Sequence, residues 1–410
     1  MKIAIFSDCY LDLTGGIKTS IDAQKLELEK RGHTVYIFTT GFPHRTKKIL
    51  ELMNKHIYVV PSCKLFFYKL SPVSRRPKVI ERWLLKNFPE LKTFDIFYVH
   101  YEAGCSIAGL RLAKQLKIPS VQVMHGREDM GETHIIPYGL RTFVSIMLNW
   151  FHSWYLPHPK KIKIDDYLAD SLAKAKMWEL MISHANFADL VLTPSEHFRE
   201  KLLHYGVKKE IKVLKNGVSD ELFIENLSPR ELKKDEELRI IWHSRISAEK
   251  RIMPFLEALK NIKGKYRVDI FGGGGDYFRA KRFVKRHKIK AIFHGNQPFP
   301  KIYSHLKKAH LDVLVSYNFD TFGMTLIEAE SVGVPVFFCD PDMKEVVPEN
   351  SFILSRDETP EKMTRALEDL LKNPEKIRKM SEKMLKNRSE IFVSRRVDLL
   401  EQYFNDIIKP

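Results

Sequence analysis

Cysteine is scarce in this chain. Four occur in 410 residues, at Cys9, Cys63, Cys105 and Cys339, far apart and with no Cys-x-x-Cys pair. That argues against a disulfide framework or a structural zinc site and suits a reducing cytosol. Long apolar runs are missing too. The best, Phe143–Leu156, has 14 residues, against the about 20 that a membrane-spanning helix needs. The opening Met1–Ser7 is too short for a signal peptide and reads as a first strand. Nucleotide fingerprints are absent: Gly15-Gly16 is not a GxGxxG motif, and Gly272–Gly275 is not followed by the Gly-Lys-Ser/Thr of a phosphate loop. There is no short-period repeat and no nucleic-acid-binding motif.

Acids are outnumbered as well. Lys and Arg total 68 against 51 Asp and Glu, giving a net charge of +17 and a pI near 9.4. Such an excess implies an anionic partner: nucleic acid, an anionic membrane surface, or anionic small molecules. The charge is uneven. His44–Lys86 holds eleven Lys/Arg and two acids, a net +9 and over half of the total.

What is present is a globular composition, 44% hydrophobic and 29% charged, in a chain long enough for two or three domains. Apolar strand-like runs alternate with segments of helical spacing. In the first half the strands are Lys2–Asp8, His33–Thr40, His56–Ser62, Ile96–Tyr101, Ser120–Gly126, Leu190–Ser195 and Ile211–Val218, with helices expected over Ile17–Lys30, Tyr167–Phe187 and Glu196–Tyr205. A polar segment, Glu225–Leu238, reads as the linker. The alternation then restarts with strands Arg239–Arg245, Tyr266–Phe271, Ala291–His294, Leu311–Ser316 and Val336–Cys339, and closes with helical segments Thr359–Arg388 and Phe392–Ile408. Such alternation gives two doubly wound, Rossmann-like α/β domains.

Candidate chemistry gathers at the ends of these strands, where open α/β sheets bind ligands. Arg245 and Lys250 follow one strand; such a pair suits a diphosphate, Arg as a fork and Lys as a point charge, or is simply a solvated charge pair. Gly273 lies in a glycine run that exposes backbone near a base or phosphate. Asp320 precedes a helix and Glu328 lies two turns inside it, placed to accept hydrogen bonds from sugar hydroxyls or to be a cap and an exposed acid. Gly15-Gly16 opens the first helix as a ligand loop or a plain tight turn. His125 tips a strand, followed by Gly126, Arg127, Glu128 and Asp129.

Two stretches have an interfacial look. Cys63–Phe88 interleaves Phe66, Phe67, Tyr68 and Trp83 with Lys64, Lys69, Arg75, Arg76, Lys78 and Arg82. Gly131–Lys163 carries Phe143, Trp150, Phe151, Trp154 and other apolar residues, then Lys160, Lys161 and Lys163. Rings that enter a headgroup layer beside cations that meet anionic lipid are one reading. Core-facing rings with solvated charges, or a buried helical hairpin, are the other.

Arg245 with Lys250, Asn216-Gly217-Val218, and Asp320-Thr-Phe-Gly through Glu328-Ala to Gly333-Val-Pro-Val together resemble the retaining GT-B glycosyltransferases that carry a Glu-x7-Glu motif. The resemblance spans nearly the whole chain. The segment from His125 through Glu128 and His134 to Pro137 is similar to that of bacterial diacylglycerol glucosyltransferases. The resemblance implies two Rossmann-like domains facing across a cleft: 1–214 for acceptor and membrane, 215–390 for the nucleotide sugar, and 391–410 as a helix packing back on the first. It implies that Asp320 contacts the donor sugar, Glu328 the ribose, and Arg245 and Lys250 the diphosphate, with Gly16, Gly273, Phe322, Gly323, Met324 and Thr325 lining the donor. His125 would lie by the anomeric carbon. Phe66, Phe67, Arg75, Arg76, Glu128, His134, Trp150 and Trp154 would serve acceptor and membrane. The first acid here is Asp320 rather than Glu, one methylene shorter, which alters its reach to the sugar.

The expectation is thus a hexosyltransferase that moves glucose or a related hexose from a UDP-sugar to a lipid such as diacylglycerol. It would work as a peripheral enzyme on the cytoplasmic face of the membrane, without a metal or other cofactor and without nucleic acid. Other readings are the same reaction on a polysaccharide, polyprenyl-linked, protein or soluble sugar acceptor, a non-catalytic sugar-nucleotide binder, and a basic nucleic-acid-binding protein supported by charge alone.

Overall fold

The central strands of both sheets are buried on both faces, which explains why they read as continuous apolar runs rather than as alternating ones, whereas the edge strands are half-buried. In the computed structural model, residues 1–410 are described apart from 9, 12–14, 42–50, 64–72, 131–135, 137, 166, 224–225, 356–357 and 409–410. Phe66, Phe67 and His134 fall outside the described residues. Two compact units form: Met1–Lys215 together with Val393–Pro410, and Asn216–Phe392.

The first unit contains β1 (Lys2–Ser7), β2 (Thr34–Thr39), β3 (Ile57–Val59), β4 (Ser62–Cys63), β5 (Val73–Ser74), β6 (Ile96–His100), β7 (Ser120–Val123), β8 (Leu190–Thr193) and β9 (Ile211–Val213). Seven of them make one parallel sheet in the order β3-β2-β1-β6-β7-β8-β9, and β4 pairs antiparallel with β5. Side chains alternate across the sheet: Ile3 and Ile5 of β1 enter one core with Tyr98, Val121 and Leu192. Ala4 and Phe6 enter the other with Phe38, Phe97 and Val99. The helix Val393–Ile408 buries Val397, Leu400 and Phe404 in the first of these cores. Arg31 ties it down, reaching Asp398 at 2.6 Å and the Ser394 carbonyl at 2.7 Å.

The second unit contains β10 (Leu238–His243), β11 (Tyr266–Phe271), β12 (Ala291–Gly295), β13 (Leu311–Leu314), β14 (Val336–Phe338) and β15 (Phe352–Leu354). All are parallel, in the order β12-β11-β10-β13-β14-β15. Leu238, Ile240 and Trp242 face one core and Ile241 the other. In both sheets the order reverses beside the first strand, between β1 and β6 and between β10 and β13, and the crevice outside such a reversal is where doubly wound sheets bind ligands.

Three expectations are corrected, and for Trp83 one of two open readings is selected. The segment Thr359–Arg388 is two helices, Pro360–Lys372 and Glu375–Asn387. Pro374 breaks them, having no N–H to donate and forcing Asn373 out of helical geometry (φ −126°, ψ 64°). The helix expected from Tyr167 starts at Leu172, where the Ser171 hydroxyl caps the Lys174 N–H. The supposed linker Glu225–Leu238 belongs to the second unit: Leu232 is buried in its core, and Arg230 donates to the Val332 carbonyl at 3.1 Å. Trp83 lies on the helix Pro77–Asn87, packed at 5.6 Å against Phe88 as part of a core. Among the described residues no helix is long and apolar enough to cross a membrane.

Candidate active site

The second unit supplies a charged strand edge. The chain leaves β10 through Ser244 and Arg245 into a short turn, Ala248–Lys250, which carries Lys250 inward. The Lys250 ammonium lies 2.5 Å from Asp320 Oδ1, and the Ser316 hydroxyl donates to the other oxygen of Asp320. Only 11% of the Lys250 side chain and 13% of the Asp320 side chain are exposed. Two residues expected to touch different parts of one ligand are therefore a single ion pair. The Phe319 ring lies beneath them, 5.2 Å from the Lys250 nitrogen and 6.0 Å from the Arg245 guanidinium. Arg245 is exposed, with Glu249 3.3 Å away.

Glycine is required at two points. Gly272 has φ +122°, and a Cβ there would stand 2.2 Å from the Ser244 carbonyl oxygen. Gly323, the residue before the helix Met324–Ser331, has φ +69°, and a Cβ there would stand 2.9 Å from Leu314. Gly273 follows Gly272 and faces Asn296. Of the expected donor contacts, Phe322 is buried in the core beside Leu314 and Leu326, so its side chain is committed to packing. Met324 is partly buried against the same core. The Thr325 hydroxyl, in the first turn of that helix, is buried with no hydrogen-bond partner among the described residues.

Glu328 is not a free acid. Its Oε2 lies 3.3 Å from Nδ1 of His243, whose Nε2 lies 3.1 Å from Asp312 Oδ1. Burial alone would push the His243 imidazole down, but the two carboxylates outweigh it and raise it to about 10. Neither His243 nor Asp312 stands out as a site residue in the sequence. The available signal is an acid inside the apolar run of β13 and a histidine closing β10.

The first unit has a strand edge of opposite character. His100 closes β6 and His125 follows β7; His100 Nδ1 and His125 Nε2 lie 2.7 Å apart, with rings stacked at 4.9 Å. Burial holds both neutral, His125 at about 4 and His100 well below its ordinary value, the latter helped by the neighbouring His125. Tyr101 follows at φ +102°, and its hydroxyl donates to Glu128 at 3.4 Å. Glu102 is buried and pushed well above the usual carboxylate range by burial, then by Glu128 and Asp8. Asp8 caps the helix Gly104–Leu116, accepting from the Cys105 and Ser106 N–H groups at 2.8 and 3.0 Å. Arg127 and Asp129 form a buried bidentate pair at 2.8 and 2.6 Å and serve the fold. Gly16 begins the helix Gly16–Lys30. His100, Glu102 and Asp8 are additions to the sequence reading; the sign available was a second strand, IFYVH, ending in histidine as VQVMH does.

The helix Arg141–Ser153 is inverted. It buries Ser145 and His152 and exposes Phe143, Ile146, Met147 and Trp150. Trp150 and Trp154 are 51% and 53% exposed, with ring centroids 4.3 Å apart. Lys160, Lys161 and Lys163 are exposed shortly after, and Arg75 and Arg76 are exposed as well.

Among the described residues one group could hold a metal: Asp269 on β11, His294 on β12 and His305 on the helix Phe299–Leu306 offer ligand atoms within 4.8 Å of one another. It belongs to the edge-strand side of the sheet rather than to the reversal between β10 and β13, and His294 and Asp269 already meet at 2.7 Å.

Two parallel sheets with reversals beside their first strands match the GT-B fold of glycosyltransferases, and comparison with known proteins places the chain there. The family model described as Glycosyltransferase Family 4 matches residues 14–222 and that of Glycosyl transferases group 1 matches residues 223–387. This chain belongs to glycosyltransferase family 4. Alpha-monoglucosyldiacylglycerol synthase of Streptococcus pneumoniae is 28% identical over 353 residues, 82% of this chain and 70% of that protein. The protein of the same name from Acholeplasma laidlawii is 23% identical over 357 residues, 82% and 79% of the two chains. Among solved structures, Anabaena HepE in complex with UDP and glucose matches with a TM-score of 0.68 at 14% identity, over 99% of this chain and 100% of that one. At that identity the likeness is one of fold.

Proposed function

We propose that this glycosyltransferase moves a hexose, most simply glucose, from a UDP-sugar to the hydroxyl of a lipid such as diacylglycerol, at an anionic membrane surface and with retention of configuration. The observation that carries the lipid reading is the inverted helix Arg141–Ser153, which presents Phe143, Ile146, Met147 and Trp150 to the outside and ends beside exposed Trp154. An exposed apolar helix face followed in the chain by exposed cations suits a bilayer interface. The relatives named as diacylglycerol-sugar synthases support the same acceptor class.

The charged edge of the second unit suits the donor. Lys250 and Arg245 stabilise the diphosphate as it leaves with increased negative charge. Asp320 accepts hydrogen bonds from the sugar, and its pairing with Lys250 keeps a carboxylate beside an anionic leaving group from being repulsive. Glu328 accepts from the ribose hydroxyls. In the transfer the bond from the anomeric carbon to the UDP oxygen breaks, and the acceptor oxygen bonds to the same face. The acceptor proton passes to the departing phosphate. The cationic side chains do the neutralising, so the scheme needs no metal. Neutral His125 offers a hydrogen bond to a hydroxyl rather than a charge. The enzyme would act peripherally on the cytoplasmic leaflet, where anionic lipid meets exposed Arg75, Arg76 and Lys160–Lys163.

The test is sedimentation and transfer with vesicles of anionic lipid containing diacylglycerol and UDP-glucose. Cosedimentation with the vesicles and sugar in the organic phase are expected. An enzyme that stays in solution and is inactive on any lipid acceptor overturns the lipid reading.

A further inference from the structure

The contact between His243 and Glu328 has a consequence for nucleotide recognition. His243 closes β10 and Asp312 lies in β13, neighbouring strands at the reversal of the second sheet. Glu328 comes from the helix Met324–Ser331. The three side chains form a line from interior to surface: Asp312 is 0% exposed, His243 2% and Glu328 12%. Each ring nitrogen of His243 faces a carboxylate oxygen, Nε2 at 3.1 Å and Nδ1 at 3.3 Å. A neutral imidazole has one N–H and one lone pair, so one of these contacts would set a lone pair against a carboxylate. The imidazolium alone sets no lone pair against either carboxylate, its Nε2 facing Asp312 as an ion pair rather than as an aligned hydrogen bond.

Asp312 favours the charge. Neither of its oxygens has a hydrogen bond of good geometry among the described residues, and the His243 contact is an ion pair by distance. A buried carboxylate without a counter-charge is strongly disfavoured. Asp312 thus holds His243 charged, and His243 fixes one oxygen of Glu328.

We propose that His243 is a positioning residue for nucleoside diphosphate recognition: an imidazolium anchored by Asp312 that aims the Glu328 carboxylate at the ribose hydroxyls. This rests on the reading that Glu328 contacts the ribose. Without His243, Glu328 remains present but loses both its fixed rotamer and its charge support, so hydroxyl recognition weakens while contacts to the diphosphate stay.

The test compares binding of UDP with binding of 2′,3′-dideoxy-UDP by calorimetry, for the full chain and for His243→Gln, Asp312→Asn and Glu328→Gln. The unsubstituted protein is expected to prefer UDP by about tenfold or more, the value of hydrogen bonds donated to a charged acceptor. His243→Gln should lose most of that preference while its affinity for dideoxy-UDP changes less than about twofold, as expected if the diphosphate contacts persist. Retention of the full preference in His243→Gln overturns the proposal. A preference that survives Glu328→Gln overturns instead the assignment of Glu328 to the ribose, so the two failures are distinguishable. Should His243→Gln not fold, the 15N spectrum of the unsubstituted protein decides: imidazolium nitrogens for His243 at pH 8 support the proposal, and neutral-ring nitrogens contradict it.

Discussion

Two histidines, one half-buried and one buried, stand at the tips of strands in the two sheets, and they are held in opposite charge states. In the first unit His125 has another imidazole for a neighbour, and burial keeps it neutral at about 4. In the second, His243 stands between two carboxylates and is raised to about 10. Burial acts against the charged form in both; the partner decides the outcome. The contrast extends to the surroundings. The first unit raises the buried Glu102 well above the usual carboxylate range at its strand tips and carries an exposed apolar helix. The second concentrates Lys250, Asp320, His243 and Glu328. One edge suits an uncharged hydroxyl on an apolar molecule and the other a sugar nucleotide.

Removing a charge from the second edge should have the largest effect. Asp320→Ala is expected to lower transfer on the order of 10²–10³-fold while UDP affinity measured by calorimetry stays largely intact. Retained transfer would show that Asp320 is not the sugar contact. The two histidines should respond to pH in opposite directions. An unfolded histidine titrates near 6.5, so as pH falls from there toward 4 the unfolded chain binds a proton that folded His125 refuses, and stability declines. For His243 the folded state holds the proton more tightly. Its contribution is complete below about 6.5 and is lost as pH rises toward 10. Each limb is worth up to about 1.4 kcal/mol per pH unit. Urea midpoints against pH should show His125→Asn flattening the acid limb and His243→Gln the alkaline one; equal effects on both limbs would erase the contrast.

The apolar side of the comparison predicts smaller changes. Trp150→Ala with Trp154→Ala should weaken vesicle binding at least about tenfold, from the apolar area withdrawn, with the thermal midpoint nearly unchanged because both rings are exposed. Unaltered vesicle binding would separate this helix from the membrane. Smallest of all, Arg75→Ala and Arg76→Ala should each cost about 1 kcal/mol of affinity for anionic vesicles, an effect that disappears at high salt and on neutral vesicles.

Much of the fold is legible in the sequence, because parallel strands buried on both faces leave apolar runs and the intervening helices leave their own spacing. The positions of Lys250, Asp320 and Glu328 near one strand edge follow from that succession. What could not be read are pairings over long separations. His243 meets Asp312 and Glu328 from distant points in the chain, and nothing local marks the closing residue of LRIIWH as charged. His100 and His125 are likewise joined only by the adjacency of β6 and β7. Trp83 reads as interfacial beside its cations, yet it packs on Phe88, since an aromatic next to Lys and Arg has the same local pattern on a surface or over a core. The break at Pro374 carries its own signal, a proline after asparagine within a helical pattern.

The most direct measurement is transfer itself. The full chain is incubated with a panel of radiolabelled nucleotide sugars and total membrane lipid, and the labelled product is identified. Label from a UDP-hexose in a glycolipid, with the anomeric configuration of the donor kept, is the expected result. Label only in water-soluble products, or from no nucleotide sugar at all, would contradict the assignment of one edge to a sugar nucleotide and the other to a lipid.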